Sequence, residues 1–386
     1  MAVKKKRSRR IAALWVAVVL AAVLSTQAAA EKVITLSFTG DCVIGSEESS
    51  RKKKTSFDSI AKKKGYDYFF SNFLDVFSGD DCTVINLLSV FADNDSNPRK
   101  SQKIRFRGAE DFVRILQAGS VEVVSLSNNH TLDYSTSGLN NTKQVLENAG
   151  IGWTRETDIW FLEKDGIRIA FVSMDYGAFE RSGDIISKEL KSLQENEEIN
   201  ATVFLIHEGR EYLPVHQPRQ KEYAELAIQK GGAELVIMHQ AHVMQGIQIL
   251  NNRSVFYSLG NFVYGGDATV RKEKNVNALY TMAVQVRLYF TEDGTYKGQQ
   301  AILYPAYTSG TEKKNNYQPI RLKESQAEPV IEAVQRDTEW ELPPLQTDEN
   351  GKAYILLEYL EDREPAEETE DGAPEAAAPQ PDRKNR

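Results

Sequence analysis

The chain has 386 residues, 41% hydrophobic and 26% charged, a composition that excludes bulk disorder, collagen and a polytopic membrane protein. Its net charge of −8 averages two unusual ends, since residues 4–10 hold six bases and no acid while residues 361–386 hold nine acids against four bases. So acidic a body excludes a general nucleic-acid binder, and two cysteines exclude a disulfide scaffold or a Cys-rich zinc module.

The chain opens on a basic run, Lys4-Lys5-Lys6-Arg7-Ser8-Arg9-Arg10, followed by an apolar stretch from Ile11 to Leu24 and then Ala28-Ala29-Ala30. Positive start, apolar middle and small residues at the end form the pattern of a secretory signal peptide, so residues 1–30 are expected to be removed. An uncleaved anchor is the alternative, because Ile11 to Ala30 reaches the ~20 residues of a spanning helix. The small, polar last third favours cleavage. No cysteine follows the apolar run, which argues against a lipoprotein. Either way the body is expected outside the cytoplasm, in the extracellular space or cell envelope.

Residues 31–340 read as one folded domain. Val33–Phe38, Thr83–Leu87, Val121–Leu126, Ile167–Ser173, Thr202–Ile206 and Leu235–Met238 are short, β-branched runs of the kind that form buried strands. Helical patterns lie between several of them: Ala109–Ala118, Gly138–Ala149 and Gln217–Lys230. Each is followed by glycine, where a left-handed C-cap is wanted. Lys164-Asp165-Gly166 predicts a hairpin turn, and two longer alternating strands flank Asp293-Gly294, with a helix near Pro329–Arg336. The lysine runs Lys52–Lys54 and Lys62–Lys64 read as solvated faces of a loop and a helix, with contact to a polyanion as the second reading. Cys42 and Cys82 fall at opposite ends of two strands expected to be parallel neighbours, too far apart to bridge, so both are expected as free, buried thiols. Periodicity is lost near residue 340, and residues 341–386 are expected to form an acidic Pro/Ala-rich disordered tail. The fold class is α/β.

Polar residues gather at the ends of these strands. Asp41 follows the first, Asn129-His130 the third, His207 the fifth and His239 the sixth; His242 lies three residues on, and His216 completes the five histidines. Open α/β sheets place their ligand sites beyond the carboxyl ends of the strands. Imidazoles with a carboxylate and an amide oxygen form a donor set suited to Zn, Mn, Fe or Co rather than Ca. Lone histidines are mostly structural, and His216 is read so. Placement of the other four at one edge points to a metal or substrate site. Asn261 is expected to support the rim by hydrogen bonds, with a turn asparagine as the alternative.

Gly40-Asp41, Asn86-Leu87-Leu88-Ser89, the segment Ser125–Asp133 with Asn129-His130 at its centre, His207–Tyr212, Met238–Gly246 and Phe256–Phe262 occur in that order. Together they resemble the capsule-synthesis protein CapA family, linked to poly-γ-glutamate biosynthesis, over residues 33 to 323. That family resembles the calcineurin-like metallophosphoesterases. The resemblance implies a four-layered α/β/β/α sandwich of the metallo-dependent phosphatase type. It also implies metal positions at Asp41, Asn129, His207, His239 and His242, with His130 as the catalytic proton donor beside the substrate. Glu211 and Asn261 would be substrate-binding. Two positions depart from the family pattern. Leu88 stands where a glutamate is expected, and Gln240 replaces a histidine in the block Met238–His242. Leucine can neither ligate nor bridge cations, so these departures favour a mononuclear or degenerate site over a dinuclear one, with at most one divalent metal (Mn, Zn or Fe).

The expected function is that of an exported accessory protein of capsule or poly-γ-glutamate biosynthesis with a degenerate metal site. The alternative is an active metal-dependent hydrolase of phosphoester or amide bonds. Partners expected are a cell-envelope polymer such as poly-γ-glutamate, or subunits of a membrane synthesis complex, and no nucleic acid.

Overall fold

The computed structural model describes residues 31–361 apart from 267–271, 274–275, 312–313 and 359; the basic and apolar N-terminal run and residues 362–386 lie outside the described residues. Among the described residues no helix is long and apolar enough to cross a membrane.

The first sheet begins with four parallel strands, β1 (Lys32–Val43), β2 (Cys82–Leu87), β3 (Val123–Ser125) and β4 (Gly152–Thr154), each paired with the next. The connections between them carry the helices α1 (Phe57–Lys64), α2 (Leu74–Phe77), α3 (Val113–Ala118) and α4 (Ser135–Asn148). A second sheet follows, with β5 (Trp160–Lys164), β6 (Ile167–Asp175), β7 (Ala201–His207), β8 (Leu235–His239), β9 (Ile247–Leu250) and β10 (Arg253–Phe256) in the order β9-β10-β8-β7-β6-β5. Its helices are α5 (Tyr176–Gln194) and α6 (Pro218–Glu225). The chain then returns to the first sheet. There β11 (Asn261–Tyr264) pairs parallel with β1, while β12 (Tyr280–Phe290) pairs antiparallel with it and β13 (Tyr296–Tyr307) extends that edge.

Side-chain alternation along these strands builds the layers. Ile34, Leu36 and Phe38 of β1, with Met282, Val284, Val286 and Leu288 of β12, meet Ile169, Phe171, Val203, Leu205, Leu235 and Ile237 from the second sheet in one core. Ile85, Val124 and Ala283 face the other way, against Phe57, Phe69, Phe70, Phe73 and Phe77 of the first helical layer. Val172, Phe204, Val236 and Met238 face Leu190, Tyr223 and Ala224 of α5 and α6. Helices on sheet, sheet on sheet, sheet on helices: the molecule is the four-layered α/β/β/α sandwich expected.

Several local expectations are met and some are corrected. Asp165 (φ 52°) and Gly166 (φ 73°) form the two-residue turn joining β5 and β6, with both central residues at the positive φ that a type I′ turn requires. Gly150 caps α4 at φ 73°, whereas Gly119 after α3 has φ −91° and the left-handed residue is Ser120, one position later. Cys42 and Cys82 are free and buried, since the β1–β2 register sets Leu36 beside Cys82 and Cys42 beside Leu87. The domain does not end near residue 340. α7 (Glu324–Gln335) packs Ala327, Val330 and Val334 into the central core, and β14 (Ala353–Leu356) pairs with β13 and buries Ile355 in the same core. Four alternating residues, Ala353-Tyr354-Ile355-Leu356, are too short a signal to stand out beside the acidic stretch that follows; only the waiting edge of β13 gives them a partner.

Candidate functional site

The parallel strands of both sheets end at one rim. β1 runs on past the expected strand end, so Asp41 lies inside it, with Asn86 of β2 opposite on one side and Asn261 of β11 on the other. Close packing permits this. The backbone N–H of Asp41 donates to Gly260 O at 2.9 Å, and a Cβ on Gly40 would stand 2.3 Å from that same oxygen. In the second sheet His207 of β7 and His239 of β8 are direct cross-strand neighbours. Face-to-face packing of the two sheets then brings residues some 200 positions apart into contact.

Asp41 is the hub. Its Oδ1 accepts from Asn86 Nδ2 at 2.7 Å, and its Oδ2 lies 3.0 Å from His242 Nδ1 and 3.3 Å from the backbone N–H of Gln240. His242 Nδ1 also faces Asn261 Oδ1 at 2.8 Å, so this nitrogen carries a proton shared between a carboxylate and an amide oxygen. Asn86 Nδ2 reaches His207 Nδ1 at 3.0 Å, which makes that nitrogen the acceptor and leaves His207 Nε2–H to donate to Asn129 Oδ1 at 3.1 Å. His239 Nε2–H donates to Thr39 O at 3.0 Å. Asn128 fixes Asn86 in turn, donating to its Oδ1 at 3.1 Å and to Leu87 O at 2.9 Å.

Charge follows this geometry. Burial alone would raise the Asp41 carboxyl, but the hydrogen bond and charge of His242, with His207 and His239 adding, hold it far below the usual carboxylate range. Burial drives His207 down to about 3 against the attraction of Asp41. His239 is lowered for the same reason, Asp41 and Thr39 O opposing. For His242 burial is outweighed by the hydrogen bond and charge of Asp41, with Glu211 helping, and its pKa rises. The cluster is therefore one ion pair, Asp41–His242, beside two neutral imidazoles.

His130 stands at the same rim, its backbone N–H donating to Asn128 Oδ1 at 3.0 Å, and its charge contributes to lowering His207. Its ring is committed elsewhere: Nδ1 is 2.8 Å from Asp133 Oδ2, and the ring packs on Phe106 with centroids 4.6 Å apart. Burial raises the Asp133 carboxyl despite its pairing with His130. Asn129 and Glu211 are exposed at the mouth. Asn261 is fully buried within the cluster, and among the described residues its Nδ2 is a buried donor without a partner. His216 lies apart, stacked on Tyr257 at 4.0 Å and bonded to Asp337 at 3.0 Å, a structural contact. Leu88 is fully buried in a small apolar group with Val43, Phe106 and Tyr264. Tyr264 lies 5.4 Å from the His242 ring, so this leucine backs the aromatic wall of the site. The loop after β8 is strained: Gln240 (φ 96°) and His242 (φ 58°) are both left-handed.

Of the residues expected at this rim, Asp41, Asn129, His207, His242 and Asn261 lie in one hydrogen-bonded network. His239 points instead to the backbone of β1. Asn86, Asn128 and Asp133 were not singled out as site residues. Their signal was present in the amide pairs at strand ends and in the His–Asp spacing of three residues, but nothing local says which amide reaches which imidazole.

A dinuclear centre needs a bridging oxygen, and Leu88 offers none; Asp41 accepts hydrogen bonds on both oxygens, and both nitrogens of His207 lie within hydrogen-bond distance of amides. Among the described residues no group of three or more His, Cys, Asp or Glu is arranged to hold a metal ion.

Known proteins similar to this chain include both capsule-synthesis proteins and phosphoesterases. The chain is 24% identical to a capsule biosynthesis protein CapA from Bacillus anthracis over 369 residues, covering 86% of this chain and 81% of the relative. It is also 24% identical to a PGA biosynthesis protein CapA from Bacillus subtilis (strain 168), of which it spans 64%. Among solved structures it is similar to the calcineurin-like phosphoesterase YfkN from Bacillus subtilis, with 13% identity, TM-score 0.41, 80% of this chain and 97% of that one covered. It is also similar to a 5′-nucleotidase precursor from Thermus thermophilus, with 12% identity, TM-score 0.42 and coverage of 79% and 59%. The sequence profile of the bacterial capsule synthesis protein PGA_cap family matches residues 35–265, the span holding both sheets' parallel strands and every residue of the Asp41 network. With most of its folded body matched, the chain belongs to that family.

Proposed function

We propose that this protein works outside the cytoplasm as an accessory protein of capsule or poly-γ-glutamate synthesis, presenting polymer or a synthesis subunit, and that its metal-type pocket is degenerate. One observation carries the reading: Asp41 is closed off by His242, Asn86 and the Gln240 amide, while leucine occupies position 88. Family membership supports the capsule role, and the basic–apolar start of the chain supports export. Any divalent cation bound, whether Mn, Zn or Fe, is one at most, and it would compete with the His242 proton for Asp41. Cell-envelope polymer or membrane subunits are the partners this reading implies. The unpartnered Nδ2–H of Asn261 offers a hydrogen bond to a ligand oxygen rather than a lone pair to a metal.

The alternative, a metal-dependent hydrolase, is favoured by the His130–Asp133 pair, an imidazole oriented by a carboxylate at the rim. Elemental analysis of protein purified without chelator, together with turnover of an aryl phosphate, separates the two. At most one equivalent of metal and no turnover are expected. Two equivalents with turnover would overturn the accessory reading.

A further inference from the structure

Residues 31–361 hold 37 basic and 47 acidic residues, yet one segment departs sharply from that balance. Lys52, Lys53, Lys54, Lys62, Lys63 and Lys64 are all exposed, and none forms an ion pair among the described residues. Asp58, the one acid between the two runs, points inward to bond Ser46 Oγ. Arg51, at the head of the segment, is held by Asp95 and Tyr134, and Lys64 Nζ lies 5.3 Å from the centre of the Tyr68 ring, so the remaining five lysines carry the unengaged charge of this segment.

Helix electrostatics account for only half of them. Lys62, Lys63 and Lys64 form the last turn of α1, where positive charge is favourable. Lys52, Lys53 and Lys54 lie beside the opposite end, where the helix dipole disfavours cations. Their loop is nonetheless pinned in place. Ser56 caps α1 by accepting from Ser59 N at 3.1 Å, Ser59 Oγ donates to Lys53 O at 2.8 Å, and Ser56 N donates to the same oxygen at 3.0 Å. Backbone bonds from Lys53 N to Ser50 O and Arg51 N to Glu47 O complete the anchoring. Cations are thus held against their own helix's field and against one another. The two groups are separated by the length of α1, ~12 Å at 1.5 Å per residue.

We propose that this lysine strip binds a linear polycarboxylate, a chain bearing carboxylates at short, regular intervals. The proposal rests on the polymer-presenting role above and names the surface that performs it. Lysine ammonium groups are hydrated point charges on flexible stems, suited to a mobile polyanion rather than to one planar, bidentate group. A lipid surface fits less well, since membrane-bound amphipathic helices add apolar residues that insert. On α1 the apolar residues Phe57 and Ala61 are buried in the core, and the lysines face out.

Fluorescence anisotropy with labelled poly-γ-glutamate tests this on the mature protein and on a Lys53→Glu, Lys54→Glu, Lys62→Glu, Lys63→Glu variant. Binding by the wild type should weaken by ~10-fold or more between 50 and 200 mM salt, as expected when several counterions are released. The variant should lose at least ~10-fold in affinity at low salt while a Lys188→Glu, Lys191→Glu, Lys221→Glu, Lys230→Glu control does not. Unchanged thermal midpoints confirm that all three proteins are folded. Equal binding by variant and wild type overturns the strip but leaves the presenting role standing, with polymer held elsewhere. No wild-type binding at low salt overturns the strip, and the metal measurement above then judges the broader reading by itself. Vesicles containing phosphatidylglycerol that bind more tightly than polymer, with the variant losing only vesicle binding, also overturn it.

Discussion

Replacing Leu88 by glutamate places a carboxyl where the family resemblance implies one, and so tests whether the proposed degenerate pocket is latent or closed. Leu88 is fully buried against Val43, Phe106 and Tyr264, with its N–H bonded to Cys42 O at 2.8 Å. Removing its side chain forfeits ~2 kcal/mol of apolar burial. A carboxyl in the same place must be protonated or charged without a partner, adding roughly 1–3 kcal/mol at neutral pH. Leu88→Glu should therefore lower stability by ~3–5 kcal/mol at pH 7, and by less near pH 5, where the introduced carboxyl is neutral at smaller cost. Urea unfolding followed by tryptophan fluorescence, with and without excess Mn or Zn, measures this. Because Asp41 is already paired with His242, metal should restore little. Recovery of ~2.7 kcal/mol at metal 100-fold above its dissociation constant, with two equivalents bound, would refute the closed-pocket argument.

Three further outcomes are expected. Removing either partner of the buried Asp41–His242 pair strands the other's charge, so Asp41→Ala and His242→Ala should each cost ~3–5 kcal/mol, with the double variant well below their sum; additive losses in a double-mutant cycle would show the two to be uncoupled. Burial raises the Asp80 carboxyl to about 7, with Glu122 and Asp81 adding to the rise and the hydroxyls of Ser37 and Thr83 opposing it. The native state then holds a proton that the unfolded chain releases above pH ~4, so this group costs stability as pH rises toward 7. Allowing for its partial exposure, Asp80→Asn should gain on the order of 1 kcal/mol at pH 8 and nothing at pH 4, which thermal unfolding across that range will read. Truncation after Lys352 removes Ile355 and Leu357, both buried, and should cost at least ~3 kcal/mol; truncation after Glu361 should leave the thermal midpoint unchanged.

Local physics in the sequence accounts for much of this molecule. Short β-branched runs between glycine-ended helical patterns specify parallel strands without knowledge of their neighbours, and Asp165-Gly166 specifies its turn because few residues other than glycine, asparagine and aspartate adopt positive φ cheaply. Parallel strands share a direction, so polar residues at or near their carboxyl ends fall on one rim, which is why the sequence groups Asp41, Asn129, His130, His207 and His239. What tertiary structure alone decided is how those groups pair. Asp41 meets His242 and Asn86 meets His207 only because two sheets from distant parts of the chain pack face to face, and the partner of a buried polar atom depends on which sheet arrives opposite it. The same holds for β14, whose four residues form a strand because β13 presents an open edge. A buried carboxylate must be satisfied by something. Here packing supplied imidazole and amide donors to Asp41, and no local pattern in the chain could show which of them would reach it.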